Sequence, residues 1–375
     1  MTPHKNAAAE VLFTRSGRLG HITLNRPQAI NALTHGMVVE IQRVLDEWRD
    51  DAGVQTVLLT GAGERGLCAG GDIVSLYRDA VRGDDRAAAQ FWADEYRLNA
   101  SIARYPKPYV AIMDGLVLGG GIGLSAHGSH RVVTERSTLG MPETGIGFVP
   151  DVGGTWLLSH APGELGTFLA LTAGTVHAED AIAIGLADHL VPRERLVELV
   201  ASLESADATA AIAAVASTPG PGTLAGQRGW IDVAFAGNEA GEILHRLGKQ
   251  PAAVTGNAAS GAAAGAAASA AERIASKSPT ALAVTLESLR RARQLDSLEA
   301  ALDQENRVSL RAFAAHDFAE GVRAQVIDKD RAPHWDPIDI PARTDAAVTA
   351  FFEPLGEREL GLADARRARR AHGEE

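Results

Sequence analysis

With 375 residues, 46 % of them hydrophobic and 22 % charged, the chain can bury a large core, as one big domain with an appendage or as two domains. A formal net charge of -11 speaks against nonspecific binding to nucleic acid or to an anionic membrane, since both need clustered positive charge. The single cysteine, Cys68, excludes an intramolecular disulfide framework and suits a reducing cytoplasm.

No apolar run approaches the ~20 residues of a membrane span. Residues 1–6 lack the charged and then apolar order of a secretion signal, so a cytoplasmic protein is expected.

Taken in chain order, residues 10–25 read as a strand pair. Val11-Leu12-Phe13-Thr14 comes first, then a turn at Ser16-Gly17-Arg18, then Leu19-Gly20-His21-Ile22-Thr23-Leu24. Thr34 is placed to cap a helix whose apolar positions Met37, Val38, Ile41, Val44, Leu45 and Trp48 recur at helical spacing. The β-branched run at residues 54–60 reads as a buried strand. A helix over 86–104, a strand at 109–113 and a helix from about Gly120 follow. Strands alternating with helices predict an α/β fold with largely parallel strands.

Residues 206–275 are rich in Ala and Gly and show no apolar stripe. A linker or flap is one reading, and a tolerated surface insertion over 206–277 is the favoured one, because glycine weakens helices. From Ser278 helical periodicity returns through Leu282, Leu286, Leu289, Leu298, Leu302 and Val308, and the arginine-rich end from Ala363 reads as a charged helix or tail. The expected layout is therefore a core over residues 1–205, a variable insertion over 206–277 and a helical region over 278–375.

Two glycine runs carry chemistry. Gly66-Leu67-Cys68-Ala69-Gly70-Gly71-Asp72-Ile73 follows the buried strand, and Asp114-Gly115-Leu116-Val117-Leu118-Gly119-Gly120-Gly121-Ile122-Gly123 sits at a strand-to-helix junction. Free N–H groups at such places attract negative charge, and two converging on one point would make an oxyanion hole. One donor of this kind is typically worth ~3–4 kcal/mol in a transition state. A dinucleotide site is the competing reading of the second run, but the Gly-x-Gly-x-x-Gly pattern and its distal acid are missing.

These runs, together with Leu24-Asn25-Arg26-Pro27, Ile30-Asn31-Ala32-Leu33 and Lys107-Pro108-Tyr109-Val110-Ala111, resemble the motifs of the crotonase (enoyl-CoA hydratase/isomerase) superfamily, in their usual order, over residues 10–195. The resemblance implies a crotonase-type spiral of ββα units with an added C-terminal helical region. It implies an oxyanion hole made by the N–H groups of Gly71 and Gly120. It also implies that Arg26, Ala29, Cys68, Ala69 and Gly70 hold coenzyme A.

Hydratases of the family carry one glutamate just after the glycine triplet and another about twenty residues later. Here the first position is Gly123 and the second is Glu143, with a further acid at Asp151. The arrangement Met141-Pro142-Glu143-Thr144 followed by Pro150-Asp151-Val152-Gly153-Gly154 is similar to the 3-hydroxyisobutyryl-CoA hydrolases. Residues 95–99 and 317–330 extend the likeness. By that resemblance the chain hydrolyses a short 3-hydroxyacyl-CoA thioester in valine breakdown, with Glu143 and Asp151 catalytic and Glu95, Gly120, Glu143 and Asp151 on the substrate. CoA arrives as part of the substrate, and no metal or redox cofactor is needed. Relatives often form trimers, so a homo-oligomer stays open.

By default Asp151 is a cap or turn former, Glu143 a solvated acid and Glu95 a surface charge. Cys68 invites a nucleophile reading, but no base stands near it in sequence and a small buried residue is the simpler one. His127 and His130 read as ordinary surface or loop histidines rather than metal ligands. The rival functions are enoyl-CoA hydration or isomerisation, and a noncatalytic acyl-CoA-binding protein, which would not need Glu143 and Asp151.

Overall fold

The computed structural model describes residues 9–249, 258–337 and 345–372; the expectation for residues 1–6 lies outside them, as do residues 338–344 and 373–375 of the expected C-terminal region. Strand β1 (Val11–Ser16) turns at Gly17, whose φ of 56° glycine tolerates, into the antiparallel β2 (Leu19–Leu24). Thr34 caps α1 (His35–Asp50), its hydroxyl accepting the Met37 N–H at 3.2 Å. The chain continues through β3 (Thr56–Gly61), α2 (Ile73–Arg82), α3 (Arg86–Ala103), β4 (Tyr109–Met113), β5 (Leu116–Leu118), α4 (Gly120–Ser125), β6 (His130–Val133) and β7 (Thr138–Gly140). Then come α5 (Gly154–Ser159), α6 (Leu165–Thr172), β8 (Thr175–Val176), α7 (Ala178–Ala183) and β9 (His189–Leu190).

The strands form a six-stranded sheet in the order β1-β2-β3-β4-β6-β9, parallel from β2 onward, and a three-stranded sheet in the order β5-β7-β8. Successive turns of the chain give a strand to the large sheet, a strand or bridge to the small one, then a helix. The sets are β3, the Cys68–Val117 bridge and α2; β4, β5 and α4; β6, β7 and α5. This is the spiral of ββα units that the motifs led us to expect.

The period-two alternation of the strands divides the core. Val57, Leu59, Tyr109 and Ala111 face α1 and α3, while Leu58, Val110 and Ile112 face α8 (Leu196–Leu203) and α9 (Ala208–Val215). Both faces of the parallel sheet are covered at its centre, which is why β3 and β4 read as nearly continuous apolar runs.

The segment expected as a surface insertion does not behave as one where it is described. Residues 206–249 and 258–277 carry α9, α10 (Arg228–Ala234), α11 (Ala240–Lys249) and α12 (Ala258–Ala275). Ile231, Phe235, Ile243, Leu247, Ala267, Ala270 and Ile274 from it join the main core. Its buried face mixes alanine with large apolar residues at helical spacing, such as Ile231 with Phe235 and Ile243 with Leu247, in short helices set among alanine and glycine.

The chain closes with α13 (Pro279–Ala292), α14 (Leu298–Ala314), α15 (His316–Val322), α16 (Asp345–Thr349) and α17 (Leu362–His372). An aromatic cluster ties this region to the core. Trp92 of α3 stacks on Phe148 at 5.4 Å, and Phe313 of α14 and Phe318 of α15 pack edge-on or tilted against the pair. Among the described residues no helix is long and apolar enough to cross a membrane.

Candidate active site

The two glycine runs meet. Asn31, fully buried, donates its side-chain amide to the carbonyls of Ala62, Gly66 and Leu67 at 3.0, 3.2 and 3.1 Å, which pins the first run beneath α1. Cys68 N–H bonds Leu116 O and Leu118 N–H bonds Cys68 O, so the first run lies along β5. The loop then turns at Gly70, with φ 102°, and the second run turns at Gly119, with φ 47°.

A methyl group placed on Gly120 would lie 3.4 Å from the Gly71 nitrogen, so the two amides are near neighbours. Among the described residues neither amide N–H is given to a protein acceptor. That is the arrangement an oxyanion hole needs: two preset donors left unspent.

Acids surround this point. The same methyl on Gly120 would come to 2.6 Å from Oε1 of Glu95, and one on Gly119 to 2.7 Å from Oε1 of Glu143. Glycine is what lets both carboxyls approach. Glu95 projects from α3 and is buried, although its place in an amphipathic helix suggested a surface charge; Glu143 and Asp151 are buried as well. Oε1 of Glu95 and Oε2 of Glu143 have no hydrogen-bond partner among the described residues, whereas Asp151 Oδ2 accepts the Tyr96 hydroxyl at 2.8 Å.

The three carboxyls line one cleft of about 230 Å³ with Gly70, Gly71, Gly119, Gly120, Trp92 and Phe148. Burial, and next the Asp151 charge, hold Glu95 and Glu143 well above the usual carboxylate range. Burial pushes Asp151 up to about 7, against the pull of the Tyr96 hydroxyl. A buried acid that is partly protonated near neutrality can give a proton as well as take one.

Gly123 is packed tight: a side chain there would meet Val152 Cβ at 2.7 Å and Asn99 Nδ2 at 2.9 Å. The position where hydratases carry their first glutamate has no room for one here.

The expected coenzyme-A residues separate into two groups. Ala69 and Gly70 line the cleft. Arg26 is taken up by Glu10, Asp72 and the Ala32 carbonyl, at 3.0, 3.0 and 2.5 Å, so its guanidinium braces the loop. Ala29 is half-buried in the turn that Arg65 bonds through Pro27 O and Gln28 O. Cys68 has no exposed surface, and burial pushes its thiol up to about 12, which fits a packing residue rather than a nucleophile.

His127 lies in the loop after α4, one of the two placements expected of it, and is half-buried. Burial lowers it to about 4, so the ring is neutral and donates Nε2–H to the Val152 carbonyl at 2.8 Å. His130 bonds Thr209 and Ser129 instead, and the two rings do not converge on one centre.

Three site residues were not anticipated. Tyr96 orients Asp151 and is itself bonded to Ser309 of α14 at 2.8 Å. Asn99, one turn further along α3, is fully buried with neither amide atom partnered among the described residues. Glu305 of α14 is buried against the 153–155 turn. The first two lie in the stretch 95–99 noted in the sequence, where the i, i+1, i+4 spacing on a helix was the available signal. Nothing near residue 305 pointed to the site.

The family profile described as enoyl-CoA hydratase/isomerase matches residues 19–352. The chain is 38 % identical over 368 residues to "3-hydroxyisobutyryl-CoA hydrolase, mitochondrial" of Danio rerio, covering 95 % of this chain and 92 % of that protein. The Homo sapiens protein of the same name is 35 % identical over 371 residues, with 96 % and 92 % covered. Among solved structures, one titled as a carnitinyl-CoA dehydratase from Mycobacterium thermoresistibile aligns with a TM-score of 0.88 at 49 % identity, over 94 % of this chain and 98 % of that one. One titled as an enoyl-CoA hydratase from Rhodobacter sphaeroides aligns with a TM-score of 0.85 at 41 % identity, over 94 % and 99 %.

Proposed function

The chain belongs to the enoyl-CoA hydratase/isomerase family, and on that premise we propose that it is an acyl-CoA thioester hydrolase of the 3-hydroxyisobutyryl-CoA hydrolase type, acting in valine breakdown. The observation that carries this reading is the meeting of Glu143 and Asp151 beside two unspent amides, those of Gly71 and Gly120. The thioester carbonyl oxygen sits in the hole those N–H groups form and becomes negative as the carbonyl carbon is attacked. Glu143, whose ionisation burial disfavours, supplies the nucleophile in its ionised form, either by taking a proton from water or through its own oxygen by way of a mixed anhydride that water then hydrolyses. A new C–O bond forms, the C–S bond breaks, and the departing thiolate takes a proton from the Asp151 carboxyl, which at about 7 holds one near neutrality. Glu95, held neutral by burial, bonds the substrate hydroxyl.

In this proposal Ala69 and Gly70 line the pantetheine arm, while Arg26, Ala29 and Cys68 serve by shaping the loops. The reaction calls for no metal or redox cofactor, CoA being part of the substrate. A cytoplasmic location rests on the single buried thiol, whereas the vertebrate relatives are named as mitochondrial. A homo-oligomer is the expectation that family resemblance suggests.

The second reading is hydration or dehydration, favoured by the titles of the two solved structures. Against it stands Gly123, where Val152 and Asn99 fill the space of a second glutamate. The two are separated by following free thiol and enoyl absorbance together, with 3-hydroxyisobutyryl-CoA and a short enoyl-CoA as substrates. Thiol release that falls at least 100-fold in Glu143→Gln is expected. Loss of enoyl absorbance without thiol release would replace the hydrolase by a hydratase.

A further inference from the structure

The backbone carrying Asp151 is strained. Val152 is β-branched and adopts φ 51°, and Gly153 follows at φ 79°, so two consecutive residues sit on the left-handed side of the map. A β-branched residue reaches that region only where its surroundings hold it there, and such strain is a mark of functional sites. Here the surroundings can be named. The neutral ring of His127 donates to the Val152 carbonyl at 2.8 Å. From the opposite side Glu305 accepts Gly153 N–H at 2.6 Å with Oε2, and Thr155 N–H and the Thr155 hydroxyl at 2.9 and 2.5 Å with Oε1. Glu305 is about 1 % exposed, and all its hydrogen bonds run to this one turn. A buried carboxyl is costly, and a glutamate kept at such a place has a task that a neutral residue would not perform as well.

We propose that Glu305 is a positioning residue for the reaction: its carboxyl clamps the 151–155 turn from the C-terminal helical region, and so sets where Asp151 stands relative to Glu143 and the two amides. The proposal rests on the thioesterase reading above. Glu305 is not among the residues lining the cleft and acts through Asp151. It also belongs to the electrostatics of the site. The titratable groups around Asp151 are Glu95 and Tyr96 on α3, Glu143, His127 after α4, and Glu305 on α14. Of these only His127 is basic, and it is neutral. Burial pushes Glu305 up to about 8 against the pull of the Thr155 and Gly153 donors, and the Asp151 charge adds to the rise, so Glu305 ionises only above neutrality and its charge then disfavours negative charge on Glu143.

Glu305→Gln keeps the volume but has only one acceptor oxygen. Its amide NH2 must face either Gly153 N–H or Thr155 N–H, donor against donor. The expected result is a fall in kcat of roughly 10–100-fold with KM within about threefold, as for a group misplaced by a fraction of an ångström. The pH profile of kcat is expected to lose the inflection near pH 8 where Glu305, pushed up to about 8 by burial, takes on its charge. Glu305→Asp keeps a titrating carboxyl but is a methylene short, so kcat falls while that inflection stays. Thr155→Val removes a single donor and guards against a Glu305→Gln chain that does not fold; a severalfold loss of kcat is expected there.

A kcat within twofold of the native value in Glu305→Gln, or a fall in kcat with the profile near pH 8 unchanged, overturns the proposal, as does native kcat in Thr155→Val if Glu305→Gln does not fold. Should the native protein release no thiol from any 3-hydroxyacyl-CoA, the thioesterase reading falls, and the same variants compared on enoyl-CoA hydration still decide the role of Glu305.

Discussion

Replacing Asp151 by asparagine should stabilise the fold at high pH while removing activity. The unperturbed Asp ionises near 3.8, yet in the folded chain burial raises Asp151 to about 7. Between those values the folded state binds the proton and the unfolded chain does not, so stability is highest below pH 4 and is lost as the pH climbs toward 7. At about 1.36 kcal/mol per unit, a window of about three units sets a ceiling near 4 kcal/mol. Only the part above pH 5, about two units, lies in a convenient range, which leaves about 2–3 kcal/mol. Asparagine carries no charge at any of these pH values, and its oxygen can still accept the Tyr96 hydroxyl that Asp151 Oδ2 accepts now.

The measurement is urea unfolding of both proteins at pH 5 and pH 8. The variant should gain on the native protein by about 2–3 kcal/mol or more between the two conditions, because it takes up no proton at 151 and its neutral amide also relieves Glu95, Glu143 and Glu305 of the Asp151 charge. Thioesterase turnover should meanwhile fall by roughly 100-fold or more, the cost of losing a group that manages the proton. A stability gap that does not change with pH, or one that closes as the pH rises, would refute the claim that Asp151 is held against its preference.

Two further outcomes follow from packing. Cys68, with no exposed surface and a thiol pushed up to about 12, should give no colour with an aromatic disulfide reagent at pH 8 until the chain is unfolded in urea, when the single thiol reacts. Rapid native-state labelling would show that the first glycine loop opens. Gly123→Glu should not create a hydratase. The new side chain meets Val152 and Asn99, so a loss of roughly 1–3 kcal/mol in unfolding free energy is expected and no gain in enoyl-CoA hydration, and a well-folded variant with new hydratase activity would show that Val152 yields easily.

What could be read from the sequence was local or came in ordered motifs. The β1–β2 turn, the Thr34 cap and the apolar runs of β3 and β4 announce themselves within a few residues, because caps, turns and two-sided burial leave short-range marks. Ala69, Gly70, Gly71, Gly120, Glu143 and Asp151 were legible only through the ordered motifs that resemble the crotonase superfamily, since alone Glu143 reads as a solvated acid and Asp151 as a cap, and the structure brings them to one cleft.

Other features leave no such mark. Glu305 looks like any acid in a helix, and only its contact with a turn 150 residues earlier gives it meaning. Val152 carries no sign of its left-handed backbone, which the packing of His127 and Glu305 imposes. The helices between residues 208 and 275 were hidden because their large apolar positions, Ile231 with Phe235 and Ile243 with Leu247, come as single pairs in short helices among many alanines and glycines.

The reach of Glu305 has a bearing on time as well as on geometry. The turn that carries Asp151 is translated well before its clamp, and at roughly 5–20 residues per second a ribosome needs about 8–30 s to cover the 150 residues between Thr155 and Glu305. During that interval the nascent chain holds both glycine loops and all three cleft carboxyls, but not the helix that gives one of them its place. A ribosome that stalls short of residue 305, or a protease that removes α14, therefore releases a fragment unable to spend the cell's thioesters.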